Sequence, residues 1–279
     1  MNEKTKLGDI RKDIKKNKET AEEHAMVESH WTVYDSPLFS IGSSFSKVIP
    51  EEYVGPLNKK IYTNIEEFGD AFKAYIENTL SKNGNKEKTA IEFGGSGSQL
   101  FSGFTKNFFK KTAGVCLDDV RKYYTKTFDN QSGHSVIIGN ITDTTNKDLY
   151  NKISKSLGTK KVDLIISRMM GPLDEIRKNP ALLDKIIRKW YSMLNEKGIL
   201  FAQFEYFTEH DPVMRQKYEA EISPPPTRQS EKYVGQWMEE IKKKFPNEIE
   251  VQLGRGIIRL LKKDGAPESL PSSKELFEI

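Results

Sequence analysis

The sequence contains one cysteine, Cys116, and no apolar run long enough to cross a membrane. An internal disulfide is therefore excluded, and without a Cys–His cluster or an HExxH motif we predict no metal site. No Gly-Lys-Ser/Thr triplet follows a glycine-rich turn, which excludes a P-loop nucleotidase. Because the first residues are charged and lack the apolar core of a secretory signal, we expect a cytoplasmic, reducing location.

The chain also has little excess charge, since its formal net charge is +4 over 279 residues. That value is too small to indicate nucleic-acid binding. Residues 1–30 are rich in Lys and Glu and predict a solvated or partly disordered helix. Residues 31–63 mix aromatic residues with Pro and Gly, which predicts an irregular segment that packs on the main domain or covers a ligand site.

After residue 63, apolar strands alternate with amphipathic helices, and this alternation is typical of a parallel sheet covered on both faces. A short link near the end predicts an antiparallel strand pair. The fold class is therefore α/β, with a doubly wound, mostly parallel seven-stranded sheet and an antiparallel last strand. We divide the chain into an N-terminal helical or irregular extension (1–63, a candidate lid), a main domain (64–262) and a polar tail (263–279) that should fray.

Within the main domain the spacing predicts the positions of the individual elements. A helix begins after Asn64, which with Glu67 forms a capping-box pattern. We predict strands over 89–93, 113–117, 135–139, 162–167, 198–204, 248–253 and 256–261, and further helices over about 98–111, 119–128, 146–157, 180–194 and 234–245.

The most informative stretch is residues 92–98, Glu-Phe-Gly-Gly-Ser-Gly-Ser, which joins the first predicted strand to the next helix. Glycine permits positive φ and lets a ligand approach the backbone closely. The start of the following helix would add free N–H groups and the positive end of a dipole. A loop of this kind predicts a nucleotide-like ligand, although a plain tight turn has the same composition.

Five strand–helix units, a further helix and a closing strand pair resemble the class I S-adenosylmethionine-dependent methyltransferase superfamily over about residues 64–262. The resemblance implies a Rossmann-like methyltransferase fold, S-adenosylmethionine as cofactor and methyl transfer to an N, O or C acceptor. The family has acid-x-Gly-x-Gly-x-Gly at this loop, whereas here Ser occupies the second and third Gly positions. The implied cofactor-binding residues of the loop are Glu92, which helps to hold the amino-acid end, and Gly94, Gly95, Ser96 and Gly97.

Further cofactor contacts are implied at the ends of the second and third strands. The second should end in an acid that accepts hydrogen bonds from both ribose hydroxyls. The run Gly-Val-Cys-Leu-Asp-Asp favours Asp118 over Asp119, but a different alignment puts Cys116 at that position, and either Asp can simply cap the next helix. After the third strand, the resemblance places Asn140 near the adenine amino group and Ile141 against the adenine face.

The ends of the fourth and fifth strands should lie beside the transferred methyl group. The loop after the fourth lacks the Asn/Asp-Pro-Pro-aromatic sequence, which argues against adenine amino groups and glutamine amides as acceptors. Ser167 and Arg168 are candidates for lining the site, and Arg168 either binds an anionic substrate or forms a surface salt bridge. Beyond the fifth strand, Tyr206 and His210 are placed to meet the acceptor, and His210 is either a general base or an exposed loop histidine.

Two other functions remain open from the sequence. A dinucleotide-binding oxidoreductase is disfavoured, because its fingerprint read from Gly95 would end at the bulky Leu100. The departures at Ser96, Cys116 and Asn140 leave room for a degenerate cofactor site, and so for a non-catalytic binding module on the same fold. The acceptor can be a small molecule, a protein or an RNA. We expect no membrane partner, and the oligomeric state is not indicated.

Overall fold

A computed structural model describes residues 38, 45–58, 65–82, 84, 87–117, 132–168, 180–204, 227–254 and 256–273. A short 3-10 helix, Phe45–Lys47, precedes the regular elements. In chain order, these elements are α1 (Glu51–Asn58), α2 (Ile65–Ser81), β1 (Lys88–Phe93), α3 (Ser98–Ser102), β2 (Phe109–Cys116), β3 (His134–Ile138), α4 (Lys147–Leu157), β4 (Val162–Ser167), α5 (Pro180–Ser192), β5 (Leu194–Gln203), α6 (Thr227–Lys244), β6 (Ile249–Gly254) and β7 (Ile257–Lys262).

The strands form one seven-stranded sheet in the order β3-β2-β1-β4-β5-β7-β6. Strands β1 to β5 are parallel to one another, whereas β7 is antiparallel to both β5 and β6. This confirms the predicted doubly wound sheet and its antiparallel last strand. The order reverses between β1 and β4, and the carboxyl ends beside such a switch point are where open α/β sheets bind ligands.

The core consists of two layers, because alternate strand residues point to opposite faces of the sheet. On the first face, Ala90 and Leu164 pack with side chains of α1, α2 and α3. On the second face, Ile91 and Ile165 pack with side chains of α4, α5 and α6. Both faces are therefore closed by helices, as the near-continuous apolar strands predict.

The prediction of a helix over 98–111 is wrong, because α3 has only five residues and β2 begins before the predicted helix would end. Phe101, Phe104 and Phe108 have the spacing of a helix face, but they belong to an aromatic cluster beside a turn. Asn107 in that turn has a φ of 64°, which is incompatible with a continuing right-handed helix.

The C-terminal segment 263–273 does not fray, contrary to expectation. The backbone N–H of Ser273 donates to Asp184 Oδ2 over 2.7 Å, and Trp237 Nε1 donates to the Pro271 carbonyl over 3.3 Å. Ser273 is also 1% exposed. The segment therefore packs against α5 and α6, because buried hydrogen bonds compensate for its polar composition.

Residues 45–58 pack on the first face, and they include α1 where we expected irregular chain. The ring of Phe45 lies 5.6 Å from that of Phe72 and 6.0 Å from that of Phe201, measured between centroids. The helices expected over 1–30 and 119–128 lie outside the described residues. Within the described residues, no helix is both long and apolar enough to span a membrane.

Candidate functional site

The glycine-rich loop follows β1, where the sequence predicts it. Gly94 has a φ of 89° and Gly97 a φ of 73°, a region that side chains other than glycine rarely adopt. The N–H of Gly94 donates to the Val115 carbonyl of β2 over 2.6 Å. Two of the predicted cofactor-binding glycines are therefore required by the backbone of this turn.

The loop lies directly on β2, and glycine at position 114 makes this contact possible. A Cβ on Gly114 would stand 1.8 Å from the carbonyl oxygen of Ser96, a distance that no pair of unbonded atoms tolerates. His134 Nε2, from the first residue of β3, lies 2.9 Å from the same oxygen. Sequence reasoning gave neither Gly114 nor His134 a role, because both act through contacts between strands that a local motif does not reveal.

A buried ion pair lies beside the loop. Arg168 Nε donates to Glu92 Oε1 over 2.7 Å, and the two side chains are 4% and 3% exposed. The Glu92 carboxylate lies so close to Gly95 that a Cβ there would stand 2.8 Å from Cδ of Glu92. The alternative of a surface salt bridge for Arg168 is therefore wrong, since its partner is an internal acid that the resemblance assigns to the cofactor.

Three other predicted residues occupy defined environments. The Asn140 side-chain oxygen accepts from the Thr142 N–H over 3.0 Å and from its hydroxyl over 2.8 Å. Ile141 is 2% exposed and belongs to the core of the second face. Ser167 Oγ is buried and has no hydrogen-bond partner among the residues that the structure describes. An adenine at Asn140 would compete with Thr142, so this role and those of Ile141 and Ser167 stay predictions.

The remaining site predictions fall largely outside the described residues. Asp118, Asp119, Tyr206 and His210 all lie there. Cys116 is the last residue of β2 and is fully buried. The residue at the ribose position therefore stays open among Asp118, Asp119 and Cys116.

Two features of the loop limit how well it can bind a ligand. Because α3 spans only five residues, its dipole contributes less than the predicted helix would. Residues 94–98 are all buried, so a ligand reaches the loop only when the atoms that cover it move.

In the described part of the chain, no group of three or more His, Cys, Asp or Glu residues is arranged to hold a metal ion.

No protein-family model matches the chain. No curated protein matches it either. Among solved structures, two crystal forms of the MycE methyltransferase from the mycinamycin biosynthetic pathway, both in complex with Mg and SAH, are 12% identical to it. They give TM-scores of 0.41 and 0.42, and the alignments cover 79% and 78% of this chain. The chain spans little more than half of that protein, 57% and 54%.

A further similar structure is the N-methyltransferase NodS from Bradyrhizobium japonicum WM9. It is 9% identical with a TM-score of 0.36, over 71% of this chain and 97% of that one. The strand order β3-β2-β1-β4-β5-β7-β6, with β7 antiparallel to its neighbours, is the Rossmann-like arrangement that the sequence resemblance to the class I S-adenosylmethionine-dependent methyltransferases implies.

Proposed function

We propose that the chain binds S-adenosylmethionine at the 94–97 loop and transfers its methyl group to an acceptor. The observation that carries the proposal is this loop, which follows the strand next to the switch point of the sheet. It has positive φ at Gly94 and Gly97 and a buried acid, Glu92, two residues before it. Backbone of this kind can approach a ligand without intervening side chains.

Two features of the loop support the proposal, namely a backbone free of side chains at its glycines and a carboxylate beside Gly95. Gly95 leaves no room for a side chain beside the Glu92 carboxylate, so an approaching amino group would meet carboxylate and backbone together. Glu92 would hold that amino group, and Asp118, Asp119 or Cys116 would face the ribose. When bound, the cofactor supplies a methyl group that is already activated by its positively charged sulfur.

The chain's own residues would then mainly orient and shield the reactants. Holding two reactants in line removes most of the entropic barrier to a displacement. The burial of 94–98 would exclude water from the loop. Arg168 balances the charge of Glu92 and thereby lets the acid lie in the interior. Contacts of Tyr206 and His210 with the acceptor, and its chemical class, stay predictions.

One observation favours the alternative of a non-catalytic binding module. The side-chain oxygens of Glu92 and Asn140 that would receive the cofactor already accept hydrogen bonds from Arg168 and Thr142. An arriving cofactor would therefore have to share or exchange those contacts, which lowers the net affinity. The oxidoreductase is disfavoured further, because the fully buried Leu100 occupies the position where its fingerprint needs a small residue.

Titration calorimetry of the full chain with S-adenosylmethionine and S-adenosylhomocysteine tests the proposal. We expect heat from both, and at least about tenfold weaker binding by the Gly95→Ala variant, because its methyl group would displace the Glu92 carboxylate. Gly235→Ala is the matched control, since a Cβ there would meet only Leu253 at an ordinary 3.6 Å. If neither compound gives heat at sub-millimolar concentration, the cofactor assignment fails and the binding module is favoured.

A further inference from the structure

We propose that His134 is a positioning residue that fixes the glycine loop by donating a hydrogen bond to the Ser96 carbonyl. His134 Nε2 lies 2.9 Å from that oxygen, and Nδ1 lies 2.7 Å from Thr112 Oγ1. Ser96 is 0% exposed, so water cannot replace the imidazole as donor. The effect on cofactor affinity rests on the proposed function, whereas the effect on the loop does not.

The two contacts of the ring determine which nitrogen carries the proton in the neutral imidazole. A carbonyl oxygen only accepts hydrogen bonds, so Nε2 must carry the hydrogen that reaches Ser96. Nδ1 then accepts from the Thr112 hydroxyl, which can rotate to donate. Thr112 therefore selects the tautomer of His134 that holds the loop, in the way that a second hydrogen bond commonly orients an imidazole.

The imidazole also lies close to Gly97, and the ring of Phe101 lies beside it. A Cβ on Gly97 would lie 3.4 Å from Cε1 of His134, which is van der Waals contact. The ring of Phe101 lies 6.2 Å from the imidazole, centroid to centroid. With Gly114 below the Ser96 carbonyl, the loop is held between β2 and the edge strand β3. The conformation of the loop therefore depends on β2 and β3, which follow it later in the sequence.

Three variants of the full chain test this role. His134→Phe removes the donor, and we expect faster amide hydrogen exchange over 94–98 together with about tenfold weaker binding of S-adenosylhomocysteine. His134→Gln keeps an N–H donor on a side chain of similar reach. It should restore most of the slow amide exchange and most of the affinity for S-adenosylhomocysteine. Thr112→Val keeps the shape of the side chain but removes the hydroxyl, so the imidazole should lose its preference for the Nε2–H tautomer.

Nitrogen NMR of the imidazole reads the tautomer directly, without any ligand. A wild-type ring protonated only at Nδ1 would overturn the proposal, even if every variant failed to fold. The proposal would also be overturned if the His134→Phe protein folds and its loop amides exchange hydrogen as slowly as those of the wild type. If the wild type does not bind S-adenosylhomocysteine, the proposed function fails, while fast exchange in His134→Phe and rescue by His134→Gln would still support the positioning role.

Discussion

Glu92 and Arg168 meet because the order of the sheet brings β1 beside β4. Glu92 lies near the end of β1, and Arg168 directly follows β4. Glu92 pairs with Ile166 across these strands, so Arg168, two residues further, lies on the same face as the acid. Strand adjacency was not read from the sequence, and the pair was therefore missed.

Breaking this buried pair from one side should be costly. Arg168→Met leaves the Glu92 carboxylate inside without its guanidinium, and we expect the free energy of unfolding to fall by about 3–5 kcal/mol. Urea unfolding measures this. Lys110→Met, which breaks the exposed pair with Glu87, is the control and should cost less than about 1 kcal/mol.

The double variant Glu92→Gln, Arg168→Met gives a second check. It removes both charges, so we expect it to recover part of the stability that Arg168→Met loses. If Arg168→Met and Lys110→Met lower the free energy of unfolding equally, burial does not strengthen the dependence of the fold on the Glu92–Arg168 pair.

At the scale of elements, most of the sheet could be predicted, whereas the ends of some helices could not. Strand β4 and helix α4 lie where periodicity places them, because their apolar spacing reflects a local repeat that each element imposes. Helix α3 does not, since the phenylalanines of the following turn imitate its spacing. In the site, the turn glycines Gly94 and Gly97 were predictable from local backbone geometry. Gly114 and His134 were not, because they act only through contacts between strands.

The C-terminal segment 263–273 was also misjudged, since its polar composition suggested a solvated tail. Asp184 on α5 accepts from the N–H and the hydroxyl of Ser273, and the same hydroxyl bonds with the Tyr233 phenol of α6. These bonds are formed with elements remote in sequence. Composition alone cannot therefore distinguish a docked segment from a free one.

Ser273→Ala tests whether this docking stabilises the fold. The change removes one donor to Asp184 and one bond to Tyr233 in a buried setting, and we expect the free energy of unfolding to fall by about 1–3 kcal/mol. Ser102→Ala, which removes an exposed bond to the Gln99 carbonyl, is the matched control. Indistinguishable urea midpoints for the two variants would show that the segment contributes no stability.

For the whole molecule, the question is whether the two core layers unfold together. Tyr75 belongs to the first layer and Tyr191 to the second, and both are almost fully buried. Burial raises the pKa of each phenol above its ordinary 10.0, because a phenolate is poorly solvated in the interior. Each layer therefore carries its own reporter of alkaline unfolding.

The sign of the effect follows from proton linkage. Where the folded pKa exceeds the unfolded one, the stability is complete below pH 10 and is lost as the pH rises towards the folded value. Tyr150, with a pKa raised mainly by burial and then by Asp143, acts in the same direction. Burial lowers the pKa of Lys189 and of Lys262. These two groups make the fold more stable as the pH rises, but only below 10.5, the ordinary pKa of lysine. The net loss of stability should therefore occur above that pH.

We expect the buried phenols to ionise in one step that coincides with loss of circular dichroism, because the layers share a single sheet and should unfold cooperatively. Tyr191→Phe should shift this step to higher pH and raise the unfolding free energy at neutral pH by about 1 kcal/mol, since its buried hydroxyl makes no hydrogen bond within the described part of the chain. Tyr53→Phe, at a half-buried ring, is the control. Two separate ionisation steps, with only one of them diminished by Tyr191→Phe, would show that the two layers unfold independently.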